Sequence, residues 1–463
     1  MIALKASEIA HIVGGNFYGE DVTVTANPVI DSRAATAGSL FIAIKGERVD
    51  GHDFAADATS HGAVVTLAER PVAGTHIVVK NSVVALGLLA QAVRSRLTQL
   101  VVIGITGSQG KTTTKELLAS VLSSVAPTVA PQGNYNNEIG APLSILQCDE
   151  QTRYCIVEMG ARHKGDIARL CTMAQPDVGV VLKVGTAHLG EFGSQAAIAE
   201  TKSELISSLR PSAVAILGQY DAFTPQMAGL HKGRIVTFGE TLGCEVRATD
   251  VEVREGRAHF DLVTPEGRTT VGLRIVGLHQ VANALAVAAV ASVLGLTLDQ
   301  IASGLSTAES KAKWRMEIHE LNSLVLINDS YNASPEAMSA ALSTLVLFAQ
   351  ERGGETWAFL GKMHELGESS AQDHAAIGTL ASELGIDHLV CVGAPEYAQL
   401  VPANSATSVH LFSDKEQAVS LVANMNKGDV VLVKASRSEK FEDLVEKITR
   451  AWAQRDEEMA VSE

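Results

Sequence analysis

Between residues 101 and 122 the chain reads VVIGITGSQGKTTTKELLASVL. An apolar run of strand type leads into a small-residue turn, and Leu117, Leu118, Val121 and Leu122 follow at helical spacing. Glycines allow such a turn to point its N–H groups inward, and the helix start beyond it adds partial positive charge. Lys111 supplies a full charge for β- and γ-phosphates, and the Thr112 hydroxyl is a ligand type that Mg²⁺ accepts. The candidate phosphate-binding residues are Thr106, Gly107, Ser108, Gln109, Gly110, Lys111, Thr112 and Thr113. Five positions before Gly110, where the general phosphate-loop pattern has glycine, the chain has Ile105. A glycine turn that only packs a strand on a helix is the plain alternative. Gly-Lys-Thr at a helix start favours a nucleoside triphosphate.

Two more strand-like runs end in polar residues. Tyr154 to Val157 delivers Glu158-Met159-Gly160, and Val178 to Val184 delivers Gly185-Thr186-Ala187-His188. In parallel sheets, ligands collect at the carboxyl ends of strands. Glu158 is therefore a candidate Mg²⁺ ligand, with helix capping as its alternative, and His188 a candidate ligand for a second ion. Lys202 lies on a helical segment where a solvated lysine is the default. His279 and Asn283 are four apart and share a helix face, from which the amide could read an adenine edge or cap the helix.

The elements that position these groups fall into three regions. Residues 1–95 form a small α/β domain, with the polar clusters Asp31-Ser32-Arg33 and Lys45-Gly46 to Asp50-Gly51-His52 beside strands. Residues 96–312 alternate strands and helices, as a mostly parallel sheet covered on both faces requires. Stretch 244–276 makes an antiparallel excursion. Residues 313–463 repeat the alternation as a Rossmann-like α/β domain, after a hinge expected near 310–322. Its polar loops are Asp329 to Pro335, Gly361 to Glu365, and Lys434-Ala435-Ser436-Arg437, the last suited to an anionic substrate group.

Length and composition agree. The 463 residues suggest about three domains at ~150 residues each. A formal charge of −15 without basic runs argues against nucleic acid. Five cysteines without a C-x-x-C pair read as reduced thiols rather than a disulfide or zinc frame. No signal peptide is recognisable, and the most apolar stretch, Ala284 to Leu298, is too short for a bilayer. A cytoplasmic, monomeric protein without membrane insertion is expected.

The set Thr106 to Thr112, Glu158-Met159-Gly160, Gly185 to Leu189 and Gly277 to Asn283 resembles the Mur ligases of peptidoglycan synthesis, over essentially the whole chain. Gly133 to Pro142, Asp329 to Pro335 and Glu365 to Glu368 are most similar to the member that adds D-alanyl-D-alanine to a UDP-N-acetylmuramoyl tripeptide. The resemblance implies ATP and two Mg²⁺ ions as cofactors, and small-molecule substrates as partners. Thr112, Glu158 and His188 would bind the metals, with Lys202 carbamylated and bridging to the second. Lys111, His188 and Lys202 would be the catalytic groups. Asn283 would contact adenine, Arg315 the phosphates and Asp329 the ribose. Ser32, Arg33, Lys45, Asp50 and His52 would face the uridine diphosphate. Asn134, Asn136 and Asn137 would line the middle of the substrate, with Tyr331, Asn332, Lys434, Ser436 and Arg437 on the far domain. Trp314, Lys362 and Ala435 replace the usual Gly, Asp and Gly. A tripeptide-forming or folylpolyglutamate-synthetase-like sister is the nearest alternative. An ATP-binding scaffold without chemistry comes from another class, and Glu158, His188 and Lys202 together argue against it.

Overall fold

The computed structural model describes residues 1–131, 133, 135–187, 189–309 and 313–462, with 458–462 as backbone only. Asn134 and His188 lie outside the described residues. The chain builds three main sheets, one after another.

The first is a four-stranded sheet in the order Asn16–Tyr18, His76–Val78, Ala63–Ala68, Ser39–Ile42, flanked by the short pair Leu4–Lys5 and Thr23–Val24. The helix Ala6–Val13 has the boundaries its apolar spacing predicts and stops where Gly14 turns left-handed at φ 64°. Asn81 caps the next long helix, Ser82–Arg96, by accepting from the Val84 N–H at 2.8 Å. That helix packs on the central region, where Arg94 donates to Asp177 at 2.8 Å and Arg210 donates to the other oxygen at 2.6 Å. The same Asp177 carboxylate accepts from the Val102 N–H at 2.8 Å. Burial lowers the Arg94 guanidinium from its ordinary range, with Asp177 opposing the effect.

The second sheet has nine strands. From one edge to the other they run Gly267–Val276, Arg257–Thr264, Val246–Arg254, Arg234–Gly239, Val214–Gly218, Val178–Val181, Val101–Thr106, Tyr154–Glu158 and Thr128–Val129. The last six in that list, together with the step from 234–239 to 246–254, are parallel, and 246–276 fold back antiparallel onto the same sheet. Register sets Ile105 opposite Glu158 and Thr106 opposite Val181, so three strands end at one level. The helix Gln280–Val293 buries every residue from Ala284 to Ala291. Its apolar residues surround the axis because it packs between the sheet and the helix Lys111–Ser123.

The third sheet runs Glu317–Leu321, Leu324–Asn328, Val430–Lys434, Thr356–Leu360, His388–Val392, Ser408–Phe412, parallel except for the first strand. Much of the stretch expected as a hinge is thus an edge strand. It pairs with the next strand through a tight turn in which Asn322 takes φ 56°. Trp314 and Met316 also take positive φ, 63° and 51°. The tryptophan standing where the family resemblance expects glycine therefore keeps the left-handed backbone, held by the Tyr331 N–H donating to its carbonyl at 3.0 Å. Ala435 is fully buried against Gly361, where a second Cβ would approach to 2.8 Å. All five cysteines are buried free thiols. Among the described residues no helix is long and apolar enough to cross a membrane.

Replacing Asp177 by alanine should cost about 3 kcal/mol, since it strands a buried guanidinium and a backbone N–H. Urea unfolding of the whole chain measures this.

Candidate active site

The strand Val101–Thr106 ends in a turn whose backbone needs glycine twice. Gly107 has φ 158° and Gly110 has φ 80°. A Cβ on Gly110 would fall 2.3 Å from Asn283 Oδ1. The helix Lys111–Ser123 starts directly after it, so the free N–H groups of its first turn open into a cleft of ≈ 1010 Å³. Ser108 to Thr113 line that cleft, whereas Thr106 is buried with its hydroxyl donating to the Met159 carbonyl at 2.8 Å. Gly107 shapes the turn without lining the cleft.

Glu158 joins them with 3% of its surface exposed. Thr112 Oγ1 donates to one carboxylate oxygen at 3.0 Å and Asn136 Nδ2 to the other at 2.9 Å. Lys115 Nζ lies 4.0 Å away and donates to the carbonyls of Pro131 (2.7 Å) and Gly133 (2.6 Å). Burial lowers the Lys115 ammonium, with Glu158 opposing. Sequence reasoning missed Lys115. Its one signal is that it stands four residues after Lys111, on the same helix face.

Lys202 projects into the cleft from the helix Gln195–Ser207. Among the described residues its ammonium has no hydrogen-bond or ion-pair partner. Burial first, and the Lys111 charge second, push it well below the ordinary lysine range. Lys111 itself retains some solvent contact, yet its ammonium is lowered by the cleft walls, with Glu158 opposing and Arg315 assisting. Its Nζ donates to the Gly107 carbonyl at 2.7 Å.

The third domain closes the cleft. The left-handed turn at Trp314–Met316 presents Arg315, whose guanidinium stacks 3.7 Å over the Tyr331 ring and reaches Thr112 Oγ1 at 3.3 Å. Asp329 accepts from the Met316 N–H at 3.1 Å and pairs with Lys434 at 2.5 Å. Lys434 also donates to the Asn332 carbonyl at 2.8 Å. Asn283 lies in the cleft with both ends of its amide engaged, by Thr114 at 3.3 Å and Gln280 at 2.7 Å. The cleft walls push the His279 imidazole down to about 4, with Asp329 opposing and Lys434 and Lys183 assisting.

A second bridge between domains has no sequence signal. Glu336, in the first turn of the helix Pro335–Arg352, accepts from the Thr186 N–H at 2.7 Å and its hydroxyl at 2.8 Å. Gln109 donates to the other oxygen at 3.3 Å and to Ser334 Oγ at 3.1 Å.

Several candidates lie elsewhere. Ser436 and Arg437 do not line the cleft. Ser436 Oγ accepts from the His364 N–H at 2.9 Å, and Arg437 stacks 4.2 Å over Trp314 and pairs with Glu442 at 2.6 Å. Ser32, Arg33, Lys45, Asp50 and His52 sit apart in the first domain, where Ile30 marks the cleft's nearest edge. The Arg33 side chain clamps Asp31 at 2.9 and 2.6 Å and holds that carboxyl down to about 2. His52 is buried, its Nε2 accepting from the Glu69 N–H at 2.8 Å, so its proton is on Nδ1, facing Asp50 at 2.6 Å.

Family models match three successive parts of this architecture: "Mur ligase family, catalytic domain" over residues 28–99, "Mur ligase middle domain" over 105–291, and "Mur ligase, glutamate ligase domain" over 314–437. The UDP-N-acetylmuramoyl-tripeptide–D-alanyl-D-alanine ligase of Mycobacterium tuberculosis is 39% identical, over 95% of this chain and 96% of its own length. This chain belongs to the Mur ligase family. The Escherichia coli (strain K12) ligase of the same name is 34% identical over 96% and 98%. Among solved structures, MurF from Acinetobacter baumannii superposes with a TM-score of 0.89 at 35% identity, covering 97% and 99%. MurF from Thermotoga maritima in complex with ADP gives 0.81 at 33%, covering 93% and 99%.

In this Mur ligase the residues that could hold Mg²⁺ are Thr112 and Glu158. Among the described residues no three His, Cys, Asp or Glu side chains gather into a cage. A hydroxyl and a carboxylate side by side nonetheless fit Mg²⁺, which binds through one or two protein oxygens and completes its shell with water and phosphate.

A Gly110→Ala substitution is expected to weaken nucleotide binding at least tenfold, because both the backbone angle and the Asn283 contact oppose a methyl group; titration with a fluorescent ATP analogue reads this. The depressed Lys202 also makes a signed prediction. The unfolded chain takes up that proton more readily, so the folded state loses stability as pH falls below the ordinary lysine value of 10.5. Lys202→Met should therefore resist urea better than the parent at pH 7, with the advantage shrinking as pH rises toward that value.

Proposed function

We propose that this chain is the ATP-dependent ligase that adds D-alanyl-D-alanine to UDP-N-acetylmuramoyl tripeptide in the cytoplasm. The observation that carries the reading is the single cleft in which the phosphate loop, Glu158, Lys202 and the Asn136–Asn137 loop face Arg315 and Asp329 of the third domain. Full-length likeness to ligases with that name supports the choice of substrates.

The chemistry starts from a carboxylate, which repels nucleophiles and holds its oxygen firmly. An oxygen of the acceptor carboxylate attacks the γ-phosphorus of ATP, ADP leaves, and an acyl phosphate results. Lys111 and the helix N-terminus stabilise the charge that develops on the phosphate oxygens, and Arg315 adds a second cation from the closing domain. Mg²⁺ held at Thr112 and Glu158 would supply further neutralisation of that charge. The free amine of D-alanyl-D-alanine then attacks the acyl carbon, loses a proton, and phosphate departs. Asn136 and Asn137 position the acceptor, and Asn136 shares Glu158 with Thr112, so acceptor and nucleotide are held through one carboxylate. Lys202 would serve on the metal side; burial, which disfavours its ammonium, makes a lysine amine more available to CO₂, which is what carbamylation needs. The uridine diphosphate end belongs to the first domain, near Ser32, Lys45 and Asp50. Closure by Arg315 and Glu336 keeps water from the acyl phosphate.

Phosphate release from ATP should require both the UDP-tripeptide and D-alanyl-D-alanine, and Lys111→Ala should lower kcat/KM by about 100-fold or more. Release with a different amine acceptor alone would move the enzyme to a sister activity.

A further inference from the structure

Glu158 has a neighbour that the chemistry above does not use. Lys115 is buried, and its Nζ lies 4.0 Å from Glu158 Oε2, the oxygen that also accepts from the Thr112 hydroxyl. Two of its N–H groups are spent on the carbonyls of Pro131 and Gly133, at 2.7 and 2.6 Å. A surface lysine would swing away from an incoming cation. This one is held at both ends, its stem by the helix Lys111–Ser123 and its tip by the two carbonyls.

Cations are in surplus around that carboxylate. Glu158 acts on Lys111 and on Lys115, and Arg315 acts on each of them as a like charge. Protein oxygens for a divalent cation are few. They are the Thr112 hydroxyl and Glu158, with no group of three His, Cys, Asp or Glu side chains to add to them among the described residues. Mg²⁺ in such a site draws the rest of its shell from water and phosphate. A metal ion arriving alone meets one ligating carboxylate and three cations, whereas one arriving on a triphosphate brings its own countercharge. Until then a carboxylate this deeply buried needs a positive neighbour, and Lys115 is that neighbour.

We propose that Lys115 is a positioning residue that excludes free divalent metal from Glu158, so that Mg²⁺ enters only together with the nucleotide. Before the nucleotide arrives, Lys115 keeps Glu158 ionised and fixed between Thr112 and Asn136. The order of entry is then set by a buried side chain one helical turn beyond Lys111. The proposal rests on the reading of the cleft as an ATP site.

The test is Mn²⁺ binding to the full chain, followed by the electron paramagnetic resonance signal of the free ion. The parent should bind Mn²⁺ alone at least tenfold more weakly than its complex with a non-hydrolysable ATP analogue does. Lys115→Gln removes the charge and keeps a donor for the carbonyls; it should bind Mn²⁺ alone at least tenfold more tightly than the parent. Lys115→Arg keeps the charge and should match the parent. Adding Glu158→Gln to Lys115→Gln should erase the gain, which locates the ion at that carboxylate. Each variant is first checked for parental thermal unfolding. A lysine that only ties segments together predicts unchanged or weaker metal binding in Lys115→Gln, and either result overturns the proposal, as does equal tightening in Lys115→Arg. The parent decides by itself should Lys115→Gln fail to fold: Mn²⁺ bound as tightly without the analogue as with it overturns the proposal. A parent that does not bind the analogue at all removes the ATP reading instead.

Discussion

The interaction on which the rest depends is the capture of the Glu158 carboxylate at the end of its strand. A carboxylate this deeply buried is unstable without partners. Here they come from two directions: Thr112 and Lys115 from the helix after the glycine turn, Asn136 from the opposite side. The parallel register that sets Ile105 opposite Glu158 makes both possible at once. Because Lys115 also holds the Pro131 and Gly133 carbonyls, the helix after the glycine turn is tied to the segment that leads toward Asn136.

Positive charge is organised around that anion with unusual economy of pairing. Lys111 and Lys115 are lowered by burial, with Glu158 opposing, while Lys202 is lowered by burial with the Lys111 charge adding to it. Cations left without full countercharges attract phosphates, and a neutral lysine amine has a chemistry that an ammonium lacks. The acidic overall charge does not conflict with this, because the field that matters is confined to a cleft with low-dielectric walls.

Several polar contacts join the third domain to the central one. Arg315 reaches Thr112, Glu336 reaches Thr186 and Gln109, and the Gly190 N–H donates to the Glu365 carbonyl at 3.0 Å. They touch the phosphate loop directly, so the position of the third domain and the shape of the nucleotide site are linked.

The sequence by itself determined the local chemistry: the glycine turn and Lys111-Thr112 at a helix start, the strand that delivers Glu158, the all-apolar helix after Asn283, and the alternation of the third domain. Each depends on residues a few positions apart, and periodicity reports such spacing. The edge strand Glu317–Leu321 was not legible, because its short polar alternation reads equally well as a connection. Tertiary structure alone decided which charges are paired. It placed Lys434 on Asp329 and Arg437 on Trp314, giving partners to two cations that looked free, and only Lys434 still lines the cleft. It buried Lys115 against Glu158 and carried Glu336 across to Thr186, 150 residues away in the chain. Such contacts depend on how sheets and domains stack, and no local pattern of residue types encodes that distance.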